Sequence, residues 1–435
     1  MLPAIQNTNI NNYKSKQSQS FKGAGLPAGV AFLDGFIKTQ ENLSITRCIQ
    51  SSMTNIVPKA ALSRSKADFC EFTFLELLES GLFYFAAPFF GEFLYRRGIF
   101  KSSQPKNLRT EIDKNLPNSI EQIKNSKLDK ALKNRIITQK GGMVLACLAI
   151  PVLEYALSFA KNLFTLKVFK ISDFNNIANL NKDKKEDTAQ QKRVETHAKY
   201  ELKKAGVLSA TGVAAGLLLS AAGHKSKGLV KFSEFLLEPG QKISKLLHKA
   251  GISSPRTDRF LEEYLKLDFA NRNGKLALSK GQLAAICTTG LFGYSAAAKD
   301  RGKLDFYEVW TRVPLVVLYT IFGSSVLDEG FKSILARKGK FPELIKRDSN
   351  GLINVPSRAE LPQIAKNLSE KNNTSYEKEL SRLIKQKSVI TGVPYLFGLL
   401  VMGFTLTGIT RVWTKYRYNQ MNKDTQNQNQ EVKKN

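Results

Sequence analysis

Three ionisable side chains lie inside or beside long apolar stretches, and any chemistry of this chain would start there. Glu154 falls thirteen residues past Gly141 and four past Ile150. Glu92 follows Pro88 by four residues, one helical turn, and Arg312 is the only cation close inside an apolar run. A carboxylate among membrane-embedded helices is costly and turns towards a polar interior or a partner. Glu92, Glu154 and Arg312 are therefore the candidate intramembrane polar groups. One arrangement pairs Glu154 with Arg312; the other leaves such groups at the rim, snorkelling to headgroups.

Other chemistry finds few residues to work with. His197, His224 and His248 are scattered, with no HExxH and no cysteine at ligand spacing, so no metal site is expected. Cys48, Cys70, Cys147 and Cys287 form no CxxC and no disulfide framework. There is no GxSxG elbow. The stretch from Gly216 to Ser226 imitates a phosphate loop, but its glycines are seven apart rather than five and no strand precedes it. No catalytic residue and no cofactor is assigned.

The elements that would position the candidates are apolar helices. Ser388–Thr410 is 23 residues without a charge, about 35 Å as a helix. Beyond it Arg411, Trp413, Lys415, Tyr416, Arg417 and Tyr418 have the basic and aromatic character of headgroup-layer anchors. Ala205–His224 is also uncharged and carries the small-residue stripe Gly212, Gly216 and Ser220. Gly281–Ala298 repeats the pattern with Ala285, Thr289, Gly293 and Ala297. Such stripes let helix backbones approach closely in lipid. Phe72–Leu94, Gly141–Ala160 and Glu308–Leu327 are apolar but interrupted by charge. Pro88, Pro151, Pro314 and Pro394 fall in four of the six segments, and membrane helices tolerate proline better than soluble ones do.

Between these runs, apolar residues recur at helical spacing in Ile112–Ile137, Leu229–Leu237, Ile243–Leu247, Arg256–Phe269 and Ile364–Ile384. No stretch alternates long enough to make a sheet. The expected fold is all-α: a multi-pass membrane protein of four to six apolar helices with basic amphipathic helices outside the membrane. Residues 1–70 form a partly disordered lead, 71–410 the helical membrane region, and 411–435 a basic, polar tail. The extramembrane insertions are 95–140, 161–204, 225–280 and 328–387. Met1–Ser20 has no apolar core, so no cleavable signal peptide is expected.

Charge is the compositional outlier: 66 Lys and Arg against 37 Asp and Glu, a net of +29. It is spread over every polar segment with no nucleic-acid-binding module, which favours anionic lipid headgroups as partner over nucleic acid. The same spread blocks an orientation, because with six spans some strongly basic loop faces the wrong side. The expected role is non-enzymatic, either a membrane scaffold or a permeation protein of unknown substrate. The alternatives are a membrane-bound enzyme acting on lipid through Glu92 or Glu154, and a pore-forming chain that is soluble until Gly281–Leu327 inserts.

Overall fold

The computed structural model describes residues 26–86, 88–90, 93, 119–181, 186–252, 254–272, 275–347 and 353–434. It is 83% helical and all-α. After α1 (Ala28–Thr39), the described chain passes seven times between two ends of one bundle. The end holding α1 is the near end, and the opposite one the far end.

The first pass is α2 (Leu43–Ser51), a π-helical turn (Ser52–Ile56) and α3 (Val57–Ala61). It runs from Arg47, bonded to the Leu278 carbonyl at the near end, to Lys59, whose carbonyl accepts from Arg411 at the far end. The second pass returns through α4 (Lys66–Ser80) and a π turn at Gly81–Ala86. After α5 (Ile120–Asn125), the third is α6 (Lys130–Cys147) and α7 (Ala149–Phe169), nearly continuous through Leu148. A short α8 (Phe174–Ile177) leads to α9 (Thr188–Ala222), the fourth pass. It runs antiparallel to the third, with Gly223 beside Thr138 at one end and His197 against Phe159 towards the other.

Three short helices then cover the near end: α10 (Lys227–Leu237), α11 (Pro239–Lys249) and α12 (Pro255–Tyr264). The fifth pass, α13 (Lys280–Lys299), turns tightly into the sixth, α14 (Lys303–Leu318), a π turn (Tyr319–Gly323) and α15 (Ser324–Arg337). After α16 (Leu361–Asn372), α17 (Tyr376–Phe397), a π stretch (Gly398–Thr405) and α18 (Leu406–Lys434) make the seventh.

Local sequence explains where helices start. Ser65, Asp129, Asp187 and Ser375 each accept a bond from a backbone N–H of the first turn, and Ser279 with Gln282 forms a reciprocal capping box. Caps also correct the sequence reading. The described part of Ile112–Ile137 is two helices, broken after Asn125 and restarted by Asp129. Ile364–Ile384 is split by Asn373 in the left-handed conformation. Two small antiparallel ribbons, β1 (Ala270–Arg272) with β2 (Lys275–Ala277) and β3 (Lys346–Arg347) with β4 (Ile353–Asn354), are additions that alternation could not reveal at two or three residues each. Residues 26–61, grouped by sequence with the polar lead, are largely helical and packed into the bundle.

Among the described residues, four helical stretches are long and apolar enough to cross a membrane by length and composition: Lys130–Phe169, Thr188–Lys225, Lys303–Arg337 and Tyr376–Gln428. In the last three, only 17–22% of the most apolar window is buried. Leu218, Val326, Leu400 and Val412 are among the large apolar side chains left exposed. The third pass is more enclosed, because α10 and α5 close over α6 to build the near-end core around Ile136, Val144, Leu237 and Leu283.

Candidate functional site

The buried face of α7 is polar. Glu154, Ser158, Lys161 and Thr165 recur at spacings of four, three and four, a single helical face. The buried face of α4, which runs antiparallel to it, carries Glu71, Glu76 and Ser80. Two long helices thus present charged side chains to each other where apolar ones would be expected.

Midway along, these faces enclose a cavity of about 120 Å³. Glu76, Glu79 and Ser80 from α4, Glu154 from α7, Tyr294 from α13 and Arg312 from α14 supply most of its polar lining. Lys59 Nζ reaches Glu76 Oε1 at 2.6 Å, and the Tyr294 hydroxyl donates to Glu79. Glu154 faces Glu79. It is only 4% exposed, and its Oε2 has no hydrogen-bond partner. Nε and Nη2 of Arg312 are also without partners.

Leu283, Ile286, Val316 and Val317 line the apolar part of this cavity. Residues of the four π-helical turns among the described residues contribute to it or to the packing around it. Phe83, Tyr84, Asn55 and Thr320 line the cavity itself, and Gly398 packs against Tyr319 and Thr54. π turns inside α-helices recur at functional sites. Two of them have a visible cause, since Pro58 and Pro88 lie four residues beyond Thr54 and Tyr84 and cannot bond those carbonyls.

Towards the far end the polar path continues into a second cavity of about 110 Å³, which shares Lys59, Tyr294 and Arg312 with the first. Here the charges are matched. Arg64 meets both carboxylate oxygens of Glu308, at 2.7 and 3.0 Å, and Asp68 at 3.2 Å. Thr414 donates to Glu308 at 2.7 Å. Arg301, 2% exposed, bonds Glu71 at 2.6 Å and Asp305 at 2.7 Å. Lys161 and Thr165 complete the shell around Glu71. Burial pushes the Glu71 carboxyl up, but Arg301 and then Lys161 outweigh it and hold it at about 2. Burial would lower Arg301, yet Asp305 and Glu71 raise it.

The structure brings Glu154 and Arg312 to one cavity but joins them by no ion pair. Glu92 lies outside the described residues. Gly216 of α9 crosses α6 so closely that a Cβ there would stand 2.4 Å from the Gly142 carbonyl oxygen, and Ser220 lies against the same glycine. Gly212 is looser, with Leu145 O at 3.8 Å from its would-be Cβ. On α13, Gly293 meets the Tyr155 backbone, the Ala297 carbonyl accepts from Asn162, Thr289 lines a groove beside Tyr155, and Ala285 is half-buried.

The expected interface anchors divide. Lys415 and Tyr416 are exposed. Arg417 stacks over Trp413 and Tyr307, and Tyr418 packs with Leu304 and Phe174. Arg411 turns inward to Asp68 at 3.5 Å, in the ion network.

Among the described residues no group of histidine, cysteine and carboxylate side chains is placed to hold a metal ion. The charges that interrupt Phe72–Leu94 include Glu76 and Glu79, which the sequence marks only as breaks in an apolar run, and sequence reasoning missed Lys59, Glu71, Arg301 and Tyr294. The available signal was the three-residue spacing of Glu76 and Glu79, which puts both on one helix face. The chain matches no protein-family model, no curated protein and no solved structure.

Proposed function

We propose that this chain is an integral, multi-pass membrane protein in which the cavity around Glu154 passes protons or small cations. The observation that carries the permeation reading is Glu154: a carboxylate 4% exposed, with one oxygen unpaired, facing a polar cavity halfway along an apolar helix. A buried carboxylate oxygen needs a polar partner. A cavity of about 120 Å³ has room for several waters or one small cation. Glu79 and Glu154 face one another there, so their carboxylate oxygens offer a site to a proton or a small cation. The matched ions of the second cavity then form a polar route to the far end.

Membrane placement is supported by the exposed apolar faces of three long helices, since contiguous apolar surface on that scale is rare in water. The basic segments support an orientation. Those at the near end, 119–140, 225–280 and 328–387, hold 6, 12 and 13 basic residues against 2, 6 and 8 acidic ones. At the far end, 161–204, 299–312 and 411–435 hold 11, 4 and 6 against 6, 3 and 2. The near end is the more basic and belongs on the cytoplasmic side.

Membrane retention after an alkaline, high-salt wash tests the placement. Proteoliposomes loaded with a pH-sensitive dye test the flux, with potassium, sodium and proton gradients applied in turn. Glu154→Gln is expected to abolish most of it. Wild-type flux equal to that of empty liposomes would remove the permeation reading and leave a membrane scaffold.

A further inference from the structure

We infer that the helical hairpin α11–α12 is a docking surface for anionic lipid headgroups at the near-end rim of the bundle. This rests on the membrane placement proposed above but not on permeation. The hairpin is built tightly from inside. A Cβ on Gly240 would stand 2.0 Å from the Leu261 carbonyl oxygen, so the two helices touch backbone to backbone there. Asp258 ties them together, accepting from Ser244 at 2.7 Å and meeting His248 Nε2 at 2.8 Å.

Its outer surface is the opposite of what a water-facing hairpin requires. Leu246, Ile252 and Phe260 are 64%, 71% and 48% exposed. The same hairpin carries the exposed cations Lys242, Lys245, Lys249, Arg256 and Arg259 against the exposed acids Glu262 and Glu263, and of these cations Lys242 reaches Glu234 at 3.9 Å. Exposed apolar side chains together with a surplus of lysine and arginine on short amphipathic helices suit the boundary between headgroups and acyl chains. A basic cluster there favours anionic lipid.

A second, independent observation fixes the depth. Phe260 stacks on Phe322 and Tyr264 lies tilted against it, with ring centroids 6.3 and 4.9 Å away. Phe322 belongs to Lys303–Arg337, a stretch able to cross a membrane, and lies six residues before Asp328, where charge resumes. At 1.5 Å per residue that is roughly 9 Å inside the end of the apolar run. The hairpin is therefore clamped to the flank of a candidate span just where headgroups would begin.

The test is Ile252→Trp in the full-length protein, reconstituted with brominated lipids in phosphatidylcholine alone or mixed with phosphatidylglycerol. Trp310 and Trp413 of the parent chain report insertion itself, so failure of the membrane placement shows as an unquenched parent. Expected is a quenched parent, with additional quenching of the Ile252→Trp signal in the mixed vesicles that Lys245→Gln with Lys249→Gln removes. Two results overturn the inference: an added tryptophan that stays unquenched in a quenched-parent background, and quenching equal in both vesicle types. The first would mean that the patch faces water or a protein partner, the second that it inserts without reading charge.

Discussion

Glu154 on α7 stands directly across from Gly290 on α13: a Cβ at Gly290 would lie 2.6 Å from Glu154 Oε1 and 3.2 Å from its Cγ. The absence of a side chain at one position gives the carboxylate its place at the other. Gly290→Ala is expected to displace Glu154, at a cost typical of overpacking, about 1–3 kcal/mol. Its flux should fall nearly as far as that of Glu154→Gln. Retained flux with normal thermal unfolding in detergent would show that the carboxylate relaxes without consequence.

The two glycines of the α9 stripe should differ sharply. Gly216→Ala must move either α6 or α9, since the nearest atoms are the Gly142 carbonyl and the Ala146 amide, neither a flexible chain end. Gly212→Ala meets nothing closer than 3.8 Å and gains about 1 kcal/mol of helix propensity. Thermal unfolding should rank Gly212→Ala at or above the parent and Gly216→Ala clearly below it. Equal melting temperatures for the two would refute the close crossing.

Lys59 and Glu76 are the bonded charge pair of the cavity, and Glu154 and Arg312 are not bonded. Removing one partner of a buried pair costs on the order of 3–5 kcal/mol, because the other is left uncompensated. Lys59→Met with Glu76→Gln should therefore cost much less than the two single changes summed. The cycle of Glu154→Gln and Arg312→Gln should be closer to additive. A larger coupling in the second cycle than in the first would contradict this geometry.

Acid should weaken the far end in a defined window. Glu71 is held at about 2 in the folded chain against an ordinary value of 4.5. A depressed carboxylate contributes stability that is present above the unfolded value and is lost as pH falls through the folded one. The window is pH 4.5 down to 2, and the contribution is about 3 kcal/mol from 1.36 kcal/mol per unit. Glu71→Gln should be less stable than the parent at pH 7, and its stability should fall less steeply across that window. Parallel pH profiles would assign the acid response to other groups.

Helical class and the apolar runs were legible because periodicity and lack of charge over twenty residues are strong signals. All six apolar segments contribute to passes of the bundle. The first pass, Leu43–Ala61, was not legible, because Arg47, Lys59 and several hydroxyls give it the look of a loop; its Ser51, Asn55 and Lys59 line the cavity. The hairpin β1–β2 had a signal that alternation misses, since Asn273-Gly274 between the strands is a strong two-residue turn sequence. Glu154 was found because it interrupts apolar sequence. Its surroundings were hidden, because Glu79, Tyr294 and Lys59 come together only by tertiary packing.

The described chain begins its passes at the near end and finishes them at the far one. Seven is odd. Wherever the bundle crosses a bilayer, residues 28 and 434 therefore belong to different compartments. A protease or a membrane-impermeant reagent that reaches a reporter at one of them in intact vesicles must leave a reporter at the other untouched.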